Sequence, residues 1–359
     1  MVALLATTYE VQRALTLLKV KKAFGPDCIP NLLLKTFVFE LAPVVCELYN
    51  ASLLGGYMPP FLKTASVRPL SKQNPAKSVG RDIRPVSLIS QVSKVLEGLS
   101  LTKLQASMLE KMDCRQFAVA GRSSEQATVY LLHLALEALD RGGCASGFYR
   151  FSFADFRKAF DLIDNHILLQ KLSKFNIHAA LLRWVAAFLQ GRTQVTRIGD
   201  RASSLRSLHG GIPQRTKLGP ILFSVMVKDL VSTWATRAKF VDDFTVLEII
   251  PRNFPALLGY VIKDVQSYDC NMRLNPARCK EMSISFLLYD SCVWQPISIV
   301  GLAVSRVESF KLLGVHVSQD LTWAVHFDAV IKKANGRLYA IRALKKSGFA
   351  TEDLVLVAR

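Results

Sequence analysis

The sequence lacks several features that would assign it to a common class of protein. It has no C-x-x-C pair, no internal repeat, no low-complexity tract and no phosphate-binding G-x-x-x-x-G-K-S/T loop. It also has no signal-peptide pattern and no apolar run of about eighteen residues, the length that a membrane-spanning helix needs. These absences argue against a zinc-ribbon protein, a solenoid, a P-loop enzyme and a membrane-anchored protein.

The richest apolar stretches, residues 31–49 and 179–189, are interrupted by charged side chains at Lys35, Glu40 and Arg183. We therefore expect buried or amphipathic helices there and no association with a membrane. The seven cysteines show no metal-like spacing with the six histidines. They are expected to be reduced thiols of an intracellular protein, most of them packed in a core.

Acidic residues are scarce relative to basic ones. Lys and Arg number 46 against 28 for Asp and Glu, which gives a formal net charge of +18. A chain this basic is expected to bind a polyanion, with phosphate contacts supplying most of the affinity. Half of the residues are apolar, so the positive charge is concentrated on a limited surface. The length of 359 residues allows two or three subdomains.

Three aspartates occupy positions where strands are predicted to end or turn. The segment from Phe240 to Phe244 predicts a hairpin whose tight turn carries Asp242 and Asp243, and the alternating run before Asp155 predicts a strand that ends there. Adjacent carboxylates repel each other unless a cation lies between them, and Mg²⁺ prefers carboxylate oxygens. Together they match a two-metal phosphoryl-transfer site. Taken singly, the pair could be a solvated turn and Asp155 a helix N-cap.

A series of short segments follows the motifs of one enzyme family in order. They are Lys21–Pro30, Asp82–Leu88, Ser93–Glu97, Gln116–Phe117 with Gly121–Ser123, Asp155–Asp161, Gly211–Gln214 with Leu218–Phe223, Phe240–Asp243, Leu274–Lys280 and Lys311–Val315. Over nearly its whole length the chain thus resembles the reverse transcriptases of non-LTR retrotransposons, of the LINE type and jockey-like.

The resemblance implies an α+β right-hand polymerase fold with a ferredoxin-like palm. Residues 1–140 would be mostly helical fingers with a polar loop at 72–82, residues 141–318 the palm with the catalytic carboxylates and primer grip, and residues 319–359 the start of a truncated thumb. The palm elements expected are strands at 149–155, 239–249, 281–288 and 310–317 and helices at 167–175, 179–190 and 220–234.

The resemblance also implies a metal site. Asp155, Asp242 and Asp243 would be catalytic, and Asp155, Asp242 and the Phe156 carbonyl would hold Mg²⁺, for which Mn²⁺ could substitute. The ions would activate the primer 3′-hydroxyl and neutralise charge on the incoming triphosphate.

Further residues would contact the nucleotide or the primer. Those implied for the nucleotide are Lys72 and Arg84 for the phosphates, Phe160 against a ribose 2′-hydroxyl, Gln214 near the nascent pair and Lys280 as proton donor to pyrophosphate. Leu313 and Gly314 would support the primer end. The plainer interpretations are a surface lysine for Lys72, a loop arginine for Arg84 and a core aromatic for Phe160, and Arg278 could replace Lys280 in the alignment.

Several positions depart from the family's motifs. Arg215, Cys28 and Ala118 stand where the family has glycine, Phe24 replaces a proline and Lys228 an asparagine. Glycines in such motifs supply backbone shapes or close approaches that a side chain blocks. We expect the Arg215 side chain to collide with the nucleotide or to seek a phosphate, the alternative being that it turns to solvent. The set of departures suggests a decaying copy of an element.

The resemblance therefore implies the RNA-directed DNA polymerase domain of a LINE-type mobile element. Its partners would be an RNA template, a DNA primer and deoxynucleoside triphosphates, in an intracellular ribonucleoprotein found in nucleus and cytoplasm. Two alternatives stay open: a catalytically inactive nucleic-acid-binding remnant and a host-adopted scaffold. Because of the departures, we expect a chain that folds and binds nucleic acid but polymerises poorly or not at all.

Overall fold

The structure, a computed structural model, describes residues 4–71, 75, 78, 82–140, 147–251, 255–268, 272–284 and 295–358. It is α+β, as the sequence predicts. Two compact units are each assembled from three separate stretches of the chain. The first unit comprises Met1–Ser123, Phe156–Phe244 and Asp264–Leu274, and the second comprises Ser124–Asp155, Thr245–Lys263 and Asn275–Arg359. The fingers, palm and thumb boundaries given above stay a prediction.

The described helices are distributed over both units. They are α1 (Thr8–Thr16), α2 (Asn31–Thr36), α3 (Val38–Gly55), α4 (Pro60–Lys63), α5 (Gln91–Met108), α6 (Ser124–Asp140), α7 (Asn165–Ser173), α8 (Ala179–Leu189), α9 (Gly219–Met226), α10 (Leu258–Ser267), α11 (Ala324–Lys346) and α12 (Thr351–Ala358). Helix α1 begins with a reciprocal capping box between Thr7 and Glu10, and Asp164 caps α7 by accepting from the His166 amide at 2.7 Å.

The described strands form short antiparallel ribbons and two larger sheets. They are β1 (Thr64–Ser71), β2 (Ile83–Ile89), β3 (Gly147–Ala154), β4 (Arg192–Ile198), β5 (Arg201–Ala202), β6 (Arg206–Leu208), β7 (Arg237–Phe240), β8 (Asp243–Pro251), β9 (Lys280–Ile284), β10 (Ser298–Ile299), β11 (Leu302–Ala303), β12 (Ser305–Arg306), β13 (Ser309–Leu312) and β14 (Val315–Ser318).

The core of the first unit lies where α3 meets α8. Trp184 is fully buried, its indole N–H donates to the Ser52 hydroxyl at 2.8 Å, and its ring meets Tyr49 edge-on at 6.2 Å. Burial raises the pKa of Tyr49 to about 12, and its hydroxyl lies 3.2 Å from that of Ser100. Buried aromatic rings contribute large apolar areas, so this cluster stabilises the packing of three helices.

Helix α3 has the length and apolar composition of a membrane-spanning helix. Over 18 residues its mean hydropathy is 1.2, and 39% of that window is buried within the protein. Among the described helices it is the one long and apolar enough to cross a bilayer. A core helix has the same properties, and α3 packs on α1 and α8. This feature is therefore weak grounds for membrane association.

The sheet of the first unit has the strand order β2–β1–β4–β5, with β6 also paired to β4. Strand β1 is antiparallel to β2 and parallel to β4. The sequence predicted mostly helical fingers and missed the β1–β2 pair. The reason is local, because each strand contains a proline, and Pro69 lies opposite Pro85 in the ladder.

The second unit contains a sheet in the order β12–β9–β3–β8. Strand β9 is antiparallel to β3, and a buried ion network fixes their register. The Arg150 guanidinium lies 2.6 Å from the Glu281 carboxylate, which Arg306 also approaches to 3.3 Å. On β3 the ring of Phe153 stacks on Phe310 at 3.8 Å, which ties the β13–β14 hairpin to the sheet.

Most predicted palm elements are present with shifted ends. Strand β3 and helices α7 and α8 match their predictions, and β7 with β8 replaces the single strand at 239–249. The predicted helix at 220–234 is wrong beyond Met226. The Lys239 ammonium donates to the carbonyls of Val227 and Lys228, both at 2.9 Å, and so takes acceptors that a longer helix would use. Residues 285–288 of the predicted third strand lie outside the described part of the chain.

Candidate active site

Strand β7, which leads into the Asp-Asp motif, is held by a buried ion network in the first unit. The Asp113 carboxylate lies 2.7 Å from both the Arg237 guanidinium and the Lys239 ammonium. Burial opposes ionisation of Asp113, but the hydrogen bonds from the two cations outweigh it and lower its pKa to about 2. Burial lowers the pKa of Lys239 to about 8, with Asp113 acting against the shift.

The backbone of β7 is held by a second set of contacts. The Phe117 amide donates to the Lys239 carbonyl at 2.8 Å, and the Lys239 amide donates to the Arg115 carbonyl at 3.0 Å. The Arg122 guanidinium in turn donates to the carbonyls of Asp113, Cys114 and Gln116. The Gln116–Phe117 and Gly121–Ser123 motifs therefore form the support of β7, a role that their sequence pattern did not reveal.

The turn after β7 has a strained backbone. Val241 has φ +55°, a left-handed conformation that is unusual for a β-branched residue and costs about 1–3 kcal/mol. Asp242 follows in the turn, whereas Asp243 is the first residue of β8. The prediction that both aspartates lie in the turn is thus wrong for Asp243, because the turn begins one residue earlier. Asp242 keeps an exposed face, yet desolvation of its carboxyl raises its pKa.

Asp155 directly follows β3 in the second unit. Its carbonyl accepts from the Asn275 amide at 2.8 Å, and its amide donates to the Cys279 sulfur at 3.4 Å. Arg278 approaches its carboxylate to 3.8 Å. The next helix begins at Asn165, so Asp155 is not a helix N-cap. The Leu274–Lys280 motif therefore fixes the backbone that presents this aspartate.

The carboxylates suit a hard divalent cation in their chemistry. Strands β3 and β8 are neighbours in the sheet, Asp155 follows the first and Asp243 opens the second. With Asp242 they offer only carboxylate oxygens, the ligands that Mg²⁺ prefers. Within the described ranges, no group of three or more His, Cys, Asp or Glu side chains is close enough to hold a metal ion. A metal assignment therefore depends on donor chemistry and on strand position.

In the first unit, the loop after Phe156 packs closely on the Gly211–Gln214 motif. Gly211 has φ +81°, and a Cβ there would lie 2.9 Å from the carbonyl oxygens of Phe160 and Asp161. The Ile212 amide donates to the Phe160 carbonyl at 2.8 Å, and the Gln214 amide group donates to the Asp161 carboxylate at 3.0 Å. Only glycine allows this approach, which explains the residue at position 211.

Asp161 and Gln214 face a cavity of about 240 Å³, which the buried Arg192 also lines. The half-buried Phe160 ring lies 5.1 Å from that of Phe223 on α9. This contact agrees with core packing, and the exposed remainder of the ring leaves room for contact with a nucleotide. Phe156, by contrast, is buried and its backbone pairs with Leu274.

A buried carboxylate holds the start of α9. Glu97 accepts from the amides of Lys217 at 2.6 Å and Leu218 at 3.4 Å. Burial raises the pKa of Glu97 to about 7, against the opposing effect of these hydrogen bonds and of Arg192 and Lys94. The sequence alone indicates no role for Glu97 beyond its place in the Ser93–Glu97 motif. The signal available was an acidic residue within an apolar stretch of its helix.

Two of the departures from glycine have the backbone that glycine favours. Cys28 has φ +55° and Arg215 has φ +60°. Each non-glycine residue in this region costs roughly 1–2 kcal/mol. The Arg215 side chain is exposed, as expected if it turns to solvent, the alternative given for this residue above. A Cβ at Gly25 would lie 2.5 Å from the Ser90 backbone, so the same motif keeps glycine where contact demands it.

Lys72 lies outside the described residues, and Arg84 lies in β2 opposite Leu70, its side chain outside the description. Lys280 opens β9, and its ammonium donates to the Ala277 carbonyl at 3.3 Å. These positions leave their predicted roles as predictions.

The predicted primer grip is a hairpin in the second unit. Leu313 and Gly314 form the two-residue turn between β13 and β14, with φ of 47° and 103°. Positive φ at both residues is typical of tight hairpin turns, because it matches the twist of the strands. Glycine suits the second position, while Leu313 is strained.

Carboxylates at the ends of neighbouring strands, a loop contact that only glycine allows and a tight hairpin are features of a polymerase palm. Residues 72–317 match the family described as reverse transcriptase (RNA-dependent DNA polymerase). The match covers more than half of the chain, so the chain belongs to this family, with its right-hand polymerase fold. The resemblance inferred from the motifs is confirmed.

The names of similar proteins are consistent with membership of this family. The chain is 27% identical over 342 residues to an RNA-directed DNA polymerase from mobile element jockey of Drosophila funebris, which covers 90% of this chain and 36% of the relative. It is 26% identical to a probable RNA-directed DNA polymerase from transposon BS of Drosophila melanogaster. That match covers 93% of this chain and 38% of the relative. The chain thus spans little more than a third of these relatives. A solved structure, apo telomerase from Candida Tropicalis truncated from its C-terminal domain, has a TM-score of 0.45 at 13% identity, with 74% of this chain and 55% of that chain covered.

Proposed function

We propose that this chain is the polymerase domain of a LINE-type retrotransposon. It extends a DNA primer on an RNA template with deoxynucleoside triphosphates, within an intracellular ribonucleoprotein of nucleus and cytoplasm. The observation that carries the proposal is the position of the carboxylates. Asp155 follows β3, and Asp242 and Asp243 introduce β8, its neighbour in the sheet. Membership of the reverse transcriptase family supports it.

Asp155, Asp242, Asp243 and the Phe156 carbonyl would hold Mg²⁺, or Mn²⁺ in its place. Bound ions of this kind neutralise charge on a triphosphate and favour ionisation of a primer 3′-hydroxyl. The remaining roles belong to the residues that the family resemblance implies. Phe160 limits the sugar, and Gln214 orients the nucleotide or the template. Lys72 and Arg84 bind phosphate oxygens, Lys280 donates a proton to pyrophosphate, and Leu313 with Gly314 supports the primer.

A second candidate function is a nucleic-acid-binding remnant with little or no turnover. Its specific support is the strain at Cys28 and Arg215, where family glycines have been replaced although the backbone kept a glycine conformation. Either function requires binding of a template, so binding alone does not separate them.

Primer extension on an RNA template separates them. Asp242→Asn should abolish extension and leave template affinity nearly unchanged, because chemistry depends on the ions while binding depends on many phosphate contacts. Asp155→Asn should behave in the same way. Asp200→Asn, an exposed aspartate in the β4–β5 turn, is the matched control and should retain activity. Equal losses of binding and extension in Asp242→Asn would contradict the proposal, and a parent chain that binds but never extends would establish the remnant.

A further inference from the structure

The first unit contains a second cavity, of about 590 Å³, between α1 and α5. None of the residues proposed for metal or nucleotide binding lines it. Five cations do: Arg13, Lys19, Lys22, Lys94 and Lys217. The one carboxylate in the lining, Glu10, is engaged with the Thr7 amide and hydroxyl at 2.8 and 3.1 Å as the capping box of α1. The cavity is therefore strongly basic.

The five cations form no ion pair with the described residues. No carboxylate of the described ranges lies within ion-pair distance of any of the five. Lys94 is half-buried, and its pKa is lowered by desolvation and by Lys22, Lys217 and Arg215, against the effect of Glu97. The pKa of Lys217 is lowered by partial desolvation and by Lys22, against the effect of Glu97. Lysines crowded in this way are stabilised by a bound anion.

The shape of the site brings one lysine into close contact with a helix. A Cβ at Gly98 on α5 would lie 2.8 Å from the Lys217 ammonium, so this ammonium rests on the bare backbone of the helix. The backbone of Lys217 is held by Glu97, as described above. An anion bound here would therefore contact the segment that starts α9.

We propose that this pocket binds the sugar–phosphate backbone of a single nucleic-acid strand. The volume lies within the range of ligand pockets and exceeds what one phosphate group fills. Its lining contains leucines at 17, 18 and 99 but no aromatic residue, so it offers apolar contact for sugars and no platform for stacking a base. Binding is therefore independent of sequence. The inference rests on the proposed function in one respect, that the strand is part of the same template substrate.

The test measures binding of a labelled single-stranded RNA of mixed sequence, without primer, metal or nucleotides, across a range of salt. The slope of log affinity against log salt is negative. Its magnitude should fall by about 1.4 in Lys94→Gln with Lys217→Gln, since each phosphate contact on a single strand contributes about 0.7. If parent and variant bind equally at 1 M salt, the variant should bind about 25-fold more weakly than the parent at 0.1 M salt. Lys22→Gln, an exposed lysine with little effect on folding, should lower the magnitude of the slope by about 0.7.

The matched control is Lys35→Gln with Lys174→Gln, two exposed lysines of the first unit that do not line the pocket. It removes the same charge and should change affinity much less. Gly98→Ala retains every charge but displaces the Lys217 ammonium, and it should weaken binding although alanine favours the helix. Equal effects of the pocket and control pairs, together with an unaffected Gly98→Ala, would overturn the proposal.

Inorganic tripolyphosphate distinguishes a strand from a free polyphosphate. As competitor it should displace RNA equally from the parent and from the Lys94/Lys217 variant. Displacement that is strong in the parent and lost in the variant would reassign the pocket to a free triphosphate. Because Asp242→Asn should bind RNA like the parent in this assay, failure of the pocket proposal is distinct from failure of the polymerase proposal.

Discussion

At the scale of the residue, Arg215 combines an exposed side chain with a glycine-like backbone, φ +60°. Arg215→Gly relieves this strain and should raise the free energy of unfolding by about 1 kcal/mol. It also removes a long cation from the segment before α9, and misplacement of a nucleotide by about an ångström costs on the order of a hundredfold in rate. We therefore predict that it raises primer extension more than any other single reversion.

Cys28→Gly is the control for Arg215→Gly, since it relieves similar strain at φ +55° in another motif. It should raise stability without raising extension. Denaturant unfolding and primer extension on both variants test the prediction. Robust extension by the parent that Arg215→Gly leaves unchanged would show that the interpretation as a decaying copy is wrong.

Phe160 has two interpretations, a residue that excludes a ribose 2′-hydroxyl and a core aromatic, and they predict different effects of substitution. Its ring is partly exposed and lies 5.1 Å from Phe223. If it limits the sugar, Phe160→Ala should increase the ratio of ribonucleotide to deoxynucleotide incorporation, with a loss of stability of about 2 kcal/mol from lost packing. Phe223→Leu alters the same packing without exposing the sugar site and should leave the ratio unchanged. Equal losses for both sugars in Phe160→Ala would identify it as core packing alone.

At the scale of the element, β7 has only four residues, and buried ion pairs hold it in position. Asp113→Asn leaves Arg237 and Lys239 buried without their carboxylate, and breaking a buried ion network in this way costs about 3–5 kcal/mol. We predict that loss in denaturant unfolding. Asp229→Asn breaks the more exposed pair with Lys171 and should cost less than about 1 kcal/mol. Similar losses in the two variants would contradict an anchoring role for Asp113.

The elements that sequence periodicity predicted best are those stabilised locally. Helices α7 and α8 have caps and apolar faces within their own residues, and β3 alternates in a way that a single strand shows. The missed hairpin β1–β2 and the early end of α9 depend on distant partners. Sequence periodicity reflects only neighbouring residues, so it cannot predict contacts with distant partners.

At the scale of the whole molecule, one buried carboxyl makes stability depend on pH. Glu97 has a folded pKa of about 7 against 4.5 for the exposed group. Between these values the folded state holds more protons than the unfolded state, so the free energy of unfolding falls as pH rises. The loss is on the order of 3 kcal/mol from this group. The charges that act on it are those of Lys94, Arg192 and Lys217, and the backbone amides of Lys217 and Leu218 hydrogen-bond to it.

Glu97→Gln removes the titrating group and retains a carbonyl oxygen that can accept from the Lys217 amide. We predict that its free energy of unfolding changes less than that of the parent between pH 5 and pH 7.5, measured by urea denaturation. Glu40→Gln, an exposed acid on α3, should keep the parental slope. A parental slope in Glu97→Gln would show that another group carries the pH dependence.

The sequence by itself determined the family, the order of the motifs, the α+β class and the aspartates on which the metal proposal depends. Those conclusions follow from residue types at short spacing, which a chain displays without folding. Only the tertiary structure paired Asp113 with Arg237, Glu97 with the amide of Lys217 and the Gly98 backbone with a lysine from the same distant segment. The first two contacts join residues 124 and 120 positions apart. Folding selects such partners because a buried charge must find its counterpart wherever the chain brings one near.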